Sequence, residues 1–103
     1  MSNVIIFLPG WARTKFSYKR LVQSRPEGIK VEIIKYEQLI PDGQTDNFSE
    51  ELSAYLKSQE ISKSILVGHS VGGALAIGFT QQYPDMVERL ILVDSTGIPS
   101  EQS

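Results

Sequence analysis

The sequence contains no cysteine and a single histidine, His69. The first absence removes disulfides, thiolate metal sites and cysteine nucleophiles, and the second leaves too few imidazoles for a histidine-based metal centre. No early apolar run approaches the length of a membrane span: Val4 to Leu8 is far too short and has no basic segment before it. Excess charge is lacking as well. Ten basic residues face twelve acidic ones, for a formal net charge of −2, and no basic stripe marks a surface for nucleic acid. Internal repeats and low-complexity segments are missing too. These absences point to a cytoplasmic protein that needs no metal or other cofactor and has neither nucleic acid nor membrane as a partner.

What remains is ordinary globular material, 41% hydrophobic and 21% charged. A chain of 103 residues suffices for one small domain, which we assign to residues 1–103. At this size only about two thirds of the unfolded surface is buried, so a single modest core is the ceiling.

Apolar runs and helical patterns alternate along the chain. Val4 to Leu8 is continuously apolar and stops at Pro9-Gly10, as a strand buried on both faces does. Thr14 to Ser24 predicts a short basic helix with Phe16, Leu21 and Val22 turned inward, stopped by Arg25-Pro26-Glu27-Gly28. Lys30 to Tyr36 predicts an outer strand, and Glu37 to Asp46 a loop with a turn at Pro41-Asp42-Gly43. Asn47 predicts a helix start with Glu50 as capping-box partner, and Phe48, Leu52, Tyr55 and Leu56 form one apolar stripe behind it. Ser64 to Val67 is a second buried strand, followed by a helix that ends at Tyr83-Pro84-Asp85. Leu90 to Val93 is the last strand, closed by Asp94, and Ser95 to Ser103 reads as a loop or tail. This β-α-β-α-β-α-β alternation implies a four-stranded parallel sheet with right-handed crossovers.

The most informative stretch is Gly68-His69-Ser70-Val71-Gly72, a G-x-S-x-G set between strand and helix. A turn tight enough to raise a serine above the sheet crowds its neighbours, so Gly68 and Gly72 stand where a Cβ would strike strand or helix. Gly73, Ala74 and Ala76 let the helix lie close to the sheet. The competing reading is an ordinary βα turn with Ser70 as a helix cap.

As a nucleophile Ser70 needs a base within hydrogen-bond reach and a pair of oxyanion donors. One donor is the N–H after the nucleophile, Val71, at the positive end of the helix dipole. The second belongs to the loop after the first strand, at Trp11, whose ring covers either the core or a substrate. If the sheet order is 2-1-3-4, both loops flank the switch point where a crevice forms. The base is the difficulty. His69 adjoins Ser70, and neighbouring side chains at a tight turn diverge, so its expected role is packing or steadying the turn.

Leu8-Pro9-Gly10-Trp11, Gly68-His69-Ser70-Val71-Gly72-Gly73 and Tyr83 to Asp94 resemble consecutive signatures of the α/β-hydrolase superfamily, in family order and at similar spacing. The resemblance covers nearly the whole chain and about the first half of such an enzyme, so the sheet corresponds to a truncated α/β-hydrolase core. It matches Ser70 to the nucleophile, and Trp11 and Val71 to the oxyanion-hole donors. Asp94 matches the end of the strand where a minority of members carry the catalytic acid. Pro9 stands where many members have histidine. The loops that usually supply acid and histidine have no counterpart in these residues, nor does a cap domain.

Two functions follow. One is a serine hydrolase of esterase or acyl-hydrolase type, acting on a small-molecule ester or acyl substrate through acyl-Ser70, with its base and acid missing from this chain. The other is a non-catalytic flavodoxin-like module that binds a small anionic ligand at the elbow. In either case the apolar last strand, left at a sheet edge, favours self-association or pairing with a complementing C-terminal segment.

Overall fold

The computed structural model describes residues 3–10 and 26–93, together with Gln23. Four strands, β1 (Val4–Leu8), β2 (Lys30–Ile33), β3 (Ser64–His69) and β4 (Val87–Val93), form one sheet in the order β2-β1-β3-β4. All three pairings are parallel. This is the four-stranded parallel α/β sheet expected, in the expected order 2-1-3-4. The two inner strands are β1 and β3, in register from Ile5 opposite Ile65 to Leu8 opposite Gly68. Their C-terminal ends therefore open side by side.

The main core cluster lies on one face of the sheet. Ile6 and Leu8 of β1 and Leu66 of β3 alternate inward and are fully buried. They meet Phe48, Leu52 and Leu56 of α2 (Phe48–Ser58) and Ala76 and Phe79 of α3 (Val71–Gln82) in one cluster. Each such side chain contributes roughly 1.5–3 kcal/mol by leaving water. Ile5, Phe7, Ile65 and Val67 point to the other face, where Phe7 is buried and the other three are half-buried. The stripe read from the sequence of α2 is thus its core face, with Tyr55 half-buried at the margin and its hydroxyl donating to the Glu32 carboxylate of β2.

The fold departs from the sequence reading in five places. The strand expected through Tyr36 ends at Ile33, and Tyr36 opens a short helix, α1 (Tyr36–Leu39). The Ile34 N–H still donates to the Phe7 carbonyl at 3.0 Å, but the neighbouring strand then reaches Pro9, which has no N–H with which to continue the ladder. The expected loop over 37–46 therefore contains most of α1 and runs into a 3-10 turn at Thr45–Asn47. Asn47 makes no side-chain cap bond, so the capping box with Glu50 does not form. The 3-10 turn already leads the chain into the helix, with the Phe48 N–H donating to the Thr45 carbonyl. Ala74 is exposed, so of Gly73, Ala74 and Ala76 only the first and last are turned to the core, beside Gly72. Finally, β4 begins at Val87 rather than Leu90.

The turn at Pro41-Asp42-Gly43 is present, closed by the Gly43 N–H to the Ile40 carbonyl at 2.8 Å with Gly43 at φ 75°. The helix expected over residues 14–24, and with it Phe16, Leu21 and Val22, lies outside the described residues.

Candidate active site

β3 delivers the chain to Ser70 and α3 leaves from Val71, so the serine stands alone between two regular elements. Its backbone is at φ 59°, ψ −123°, a conformation that a side chain makes costly by about 1–3 kcal/mol. A serine capping a helix takes an extended conformation and gives its oxygen to the first turn. Ser70 does neither, since its side chain makes no cap hydrogen bond. The hydroxyl is left for other use, and the strain is the structural difference between this elbow and a plain βα turn.

The glycines explain how the elbow closes. A Cβ on Gly68 would lie 2.7 Å from both the Gly72 carbonyl oxygen and the Gly73 Cα, and a Cβ on Gly72 would lie 2.0 Å from the Leu8 carbonyl oxygen. Strand, helix and the neighbouring strand meet backbone to backbone, which only glycine permits. The Gly73 N–H donates to the Ser70 carbonyl at 2.8 Å, and the Ser70 N–H reaches the Val93 carbonyl at 3.3 Å. The second of these ties the elbow to the end of β4, one residue before Asp94.

Val71 is half-buried at the first position of α3. Its N–H belongs to the turn whose donors have no intrahelical acceptor, at the positive end of the helix dipole. The loop after β1 comes alongside, because a Cβ on Gly10 would lie 3.0 Å from the Ser70 Cβ. His69 lies beside the same loop: that Cβ would be 3.5 Å from its Nδ1. The structure thus brings together Gly10, His69, Ser70 and Val71. Trp11 and Asp94 lie outside the described residues. An additional polar contact of this loop is one that sequence reasoning missed: the Tyr36 hydroxyl donates to the Pro9 carbonyl. Sequence distance hides it, since the two residues are 27 apart. A cleft of about 470 Å³ borders the loop, lined by Pro9, Gly10, Ile34, Tyr36 and Ile40 among others. Among the described residues no cluster of three metal-ligating side chains occurs, and no helix is long and apolar enough to cross a membrane.

The sheet order and a strained serine between strand and helix define an α/β protein with a sharp strand–serine–helix elbow. No protein-family model matches the chain. The (Lyso)-N-acylphosphatidylethanolamine lipase of Bos taurus is 44% identical over 59 residues, which are 57% of this chain and 17% of that protein. The sn-1-specific diacylglycerol lipase ABHD11 of Mus musculus is 41% identical over 54 residues, 52% of this chain and 18% of that one. The crystal structure of MGS-MChE2, an α/β hydrolase enzyme from the metagenome of sediments of the Mar Chica lagoon, matches with a TM-score of 0.80 at 24% identity. That match covers 94% of this chain and 46% of the other. The chain thus spans under a fifth of the curated relatives and under half of the solved structure. Its fold is that of the solved α/β hydrolase, and the curated proteins it resembles over this stretch are lipases and esterases.

Proposed function

We propose that this chain carries the nucleophile and the oxyanion hole of a serine esterase or lipase-type acyl hydrolase. The observation that supports the reading best is Ser70 at positive φ, with its hydroxyl withheld from helix capping and the Gly10 loop against its Cβ. In this reading Ser70 Oγ attacks the carbonyl carbon of a carboxylic ester and gives its proton to a base. The electron pair of the C=O moves onto oxygen, where the N–H groups of Val71 and Trp11 receive it. Collapse of that intermediate expels the alcohol, protonated by the base, and leaves acyl-Ser70 for water to hydrolyse.

His69 is the only histidine, and its place is beside the oxyanion loop. In this reading the base is a histidine that these 103 residues do not supply. Asp94 is the candidate acid within the chain. The exposed edge of β4, where Ile91, Leu92 and Val93 keep 40%, 38% and 43% of their surface in water, is where a complementing segment would add its strand. Without a triad member the rate falls by several powers of ten.

A fluorophosphonate probe tests the nucleophile. In buffer containing free imidazole as surrogate base, the adduct found by mass spectrometry sits on Ser70 and is lost in Ser70→Ala. An adduct spread over other residues, or equal in Ser70→Ala, refutes the assignment.

A further inference from the structure

The carbonyl of Pro9 is held from two sides. The buried Tyr36 hydroxyl donates a hydrogen bond to it, and α3 packs so closely that a Cβ on Gly72 would lie 2.7 Å from the same oxygen. Proline has no N–H of its own with which to tie this segment to the sheet. The described peptide bonds are all trans, so the direction of the Pro9 carbonyl sets the Gly10 N–H on the opposite side. A Cβ on Gly10 would lie 3.0 Å from the Ser70 Cβ, so the loop runs close beside the elbow. The donor is itself anchored, because the Tyr36 ring packs on Phe48 with centroids 5.7 Å apart. One carbonyl oxygen thus connects α1, the loop after β1 and the elbow helix.

We infer that Tyr36 is a positioning residue for the oxyanion loop: its hydroxyl fixes how far the Pro9-Gly10 segment stands from Ser70, and through that the rate of acylation. The inference rests on Ser70 being the nucleophile. Tyr36 acts through the loop and not on the substrate. Its ring serves the core, and its oxygen serves the site.

Tyr36→Phe removes that oxygen alone. Three quantities are read on the full chain: the rate of fluorophosphonate adduct formation at Ser70 in imidazole buffer, the thermal unfolding curve, and the amide resonances of Gly10 and Gly68. The expected result is labelling slowed by about tenfold or more, since a shift of 1 Å in a catalytic loop costs on the order of a hundredfold. The Gly10 resonance moves, while Gly68 and the folded baseline stay unchanged. Ser64→Ala, at the far end of β3, labels at the parent rate. Labelling of Tyr36→Phe at the parent rate, or slowing no greater than its unfolded fraction explains, overturns the inference. On the unmutated chain the Tyr36 hydroxyl proton exchanges slowly with water, and fast exchange also overturns it, even if the variant does not fold. Failure of the underlying reading looks different: Ser70→Ala then labels like the parent, or the parent carries no adduct at Ser70.

Discussion

Replacing Gly72 by alanine adds one methyl group at the most crowded point of the elbow. The new Cβ would stand 2.0 Å from the Leu8 carbonyl oxygen, 2.6 Å from its carbon and 2.7 Å from the Pro9 oxygen. All three are backbone atoms of β1 and its loop, so no rotamer change relieves the contact. Ordinary contact begins near 3.4 Å, and 3.4 − 2.0 leaves about 1.4 Å by which α3 and β1 would have to separate. Overpacking that side chains can absorb costs about 1–3 kcal/mol; here backbone must move, so the loss is at least about 3 kcal/mol. Helix propensity works the other way, because alanine is better than glycine inside a helix by about 1 kcal/mol. Steric cost therefore wins at Gly72. At Gly78, in the same helix, nothing lies within 4 Å of a Cβ, and only the propensity remains. Thermal unfolding followed by circular dichroism should show Gly72→Ala melting lower than the parent by more than about 10 °C and Gly78→Ala higher by a few degrees, at roughly 4–8 °C per kcal/mol for a domain of this size. Shifts of the two variants in the same direction would refute the close approach of α3 to β1.

The other predictions concern strain, a buried hydroxyl and the open edge. Ser70→Gly should be more stable than Ser70→Ala by about 1 kcal/mol in urea titration, because only glycine adopts φ 59° without cost; equal stabilities would count against a strained elbow. Ser64 is fully buried and its Oγ has no hydrogen-bond partner among the described residues, so Ser64→Ala should be neutral or stabilising by up to about 1 kcal/mol, and a loss above that size would reveal a partner for the oxygen. The isolated chain should self-associate through β4, and Leu92→Lys should shift sedimentation toward monomer, since an edge lysine opposes strand pairing; a parent chain that sediments as a monomer would contradict this.

How legible the site was depends on whether its contacts are local. Gly68 and Gly72 are four residues apart, and the collisions they avoid belong to the turn itself and to the strand beside it, so the spacing in sequence already contains the geometry. The same holds for the stripe Phe48, Leu52 and Leu56, where helical periodicity alone selects the buried face. Tyr36 is the opposite case. Its neighbours Lys30 to Ile34 read as a strand, and aromatic residues suit strands, so local pattern extended β2 through it. What ends β2 is Pro9, the residue just after β1: its missing N–H stops the ladder and its carbonyl then takes the Tyr36 hydroxyl. The proline that ends β1 thus also ends its neighbour and recruits the tyrosine. The pairing has a signal in the sequence: when a parallel strand ends in proline, the residue just past the end of the adjacent strand lies within reach of a carbonyl left by the broken ladder, and a buried tyrosine there has a partner for its hydroxyl. The asymmetry at Asn47 has the same origin. The Asn47 and Glu50 pattern offered a capping box, but a 3-10 turn arriving from Thr45 satisfies the first helical N–H with backbone, and the side chain is not used. Where the backbone of a distant or preceding segment supplies the partner, side-chain signals in the sequence lose their force. Where glycine removes a collision, they keep it.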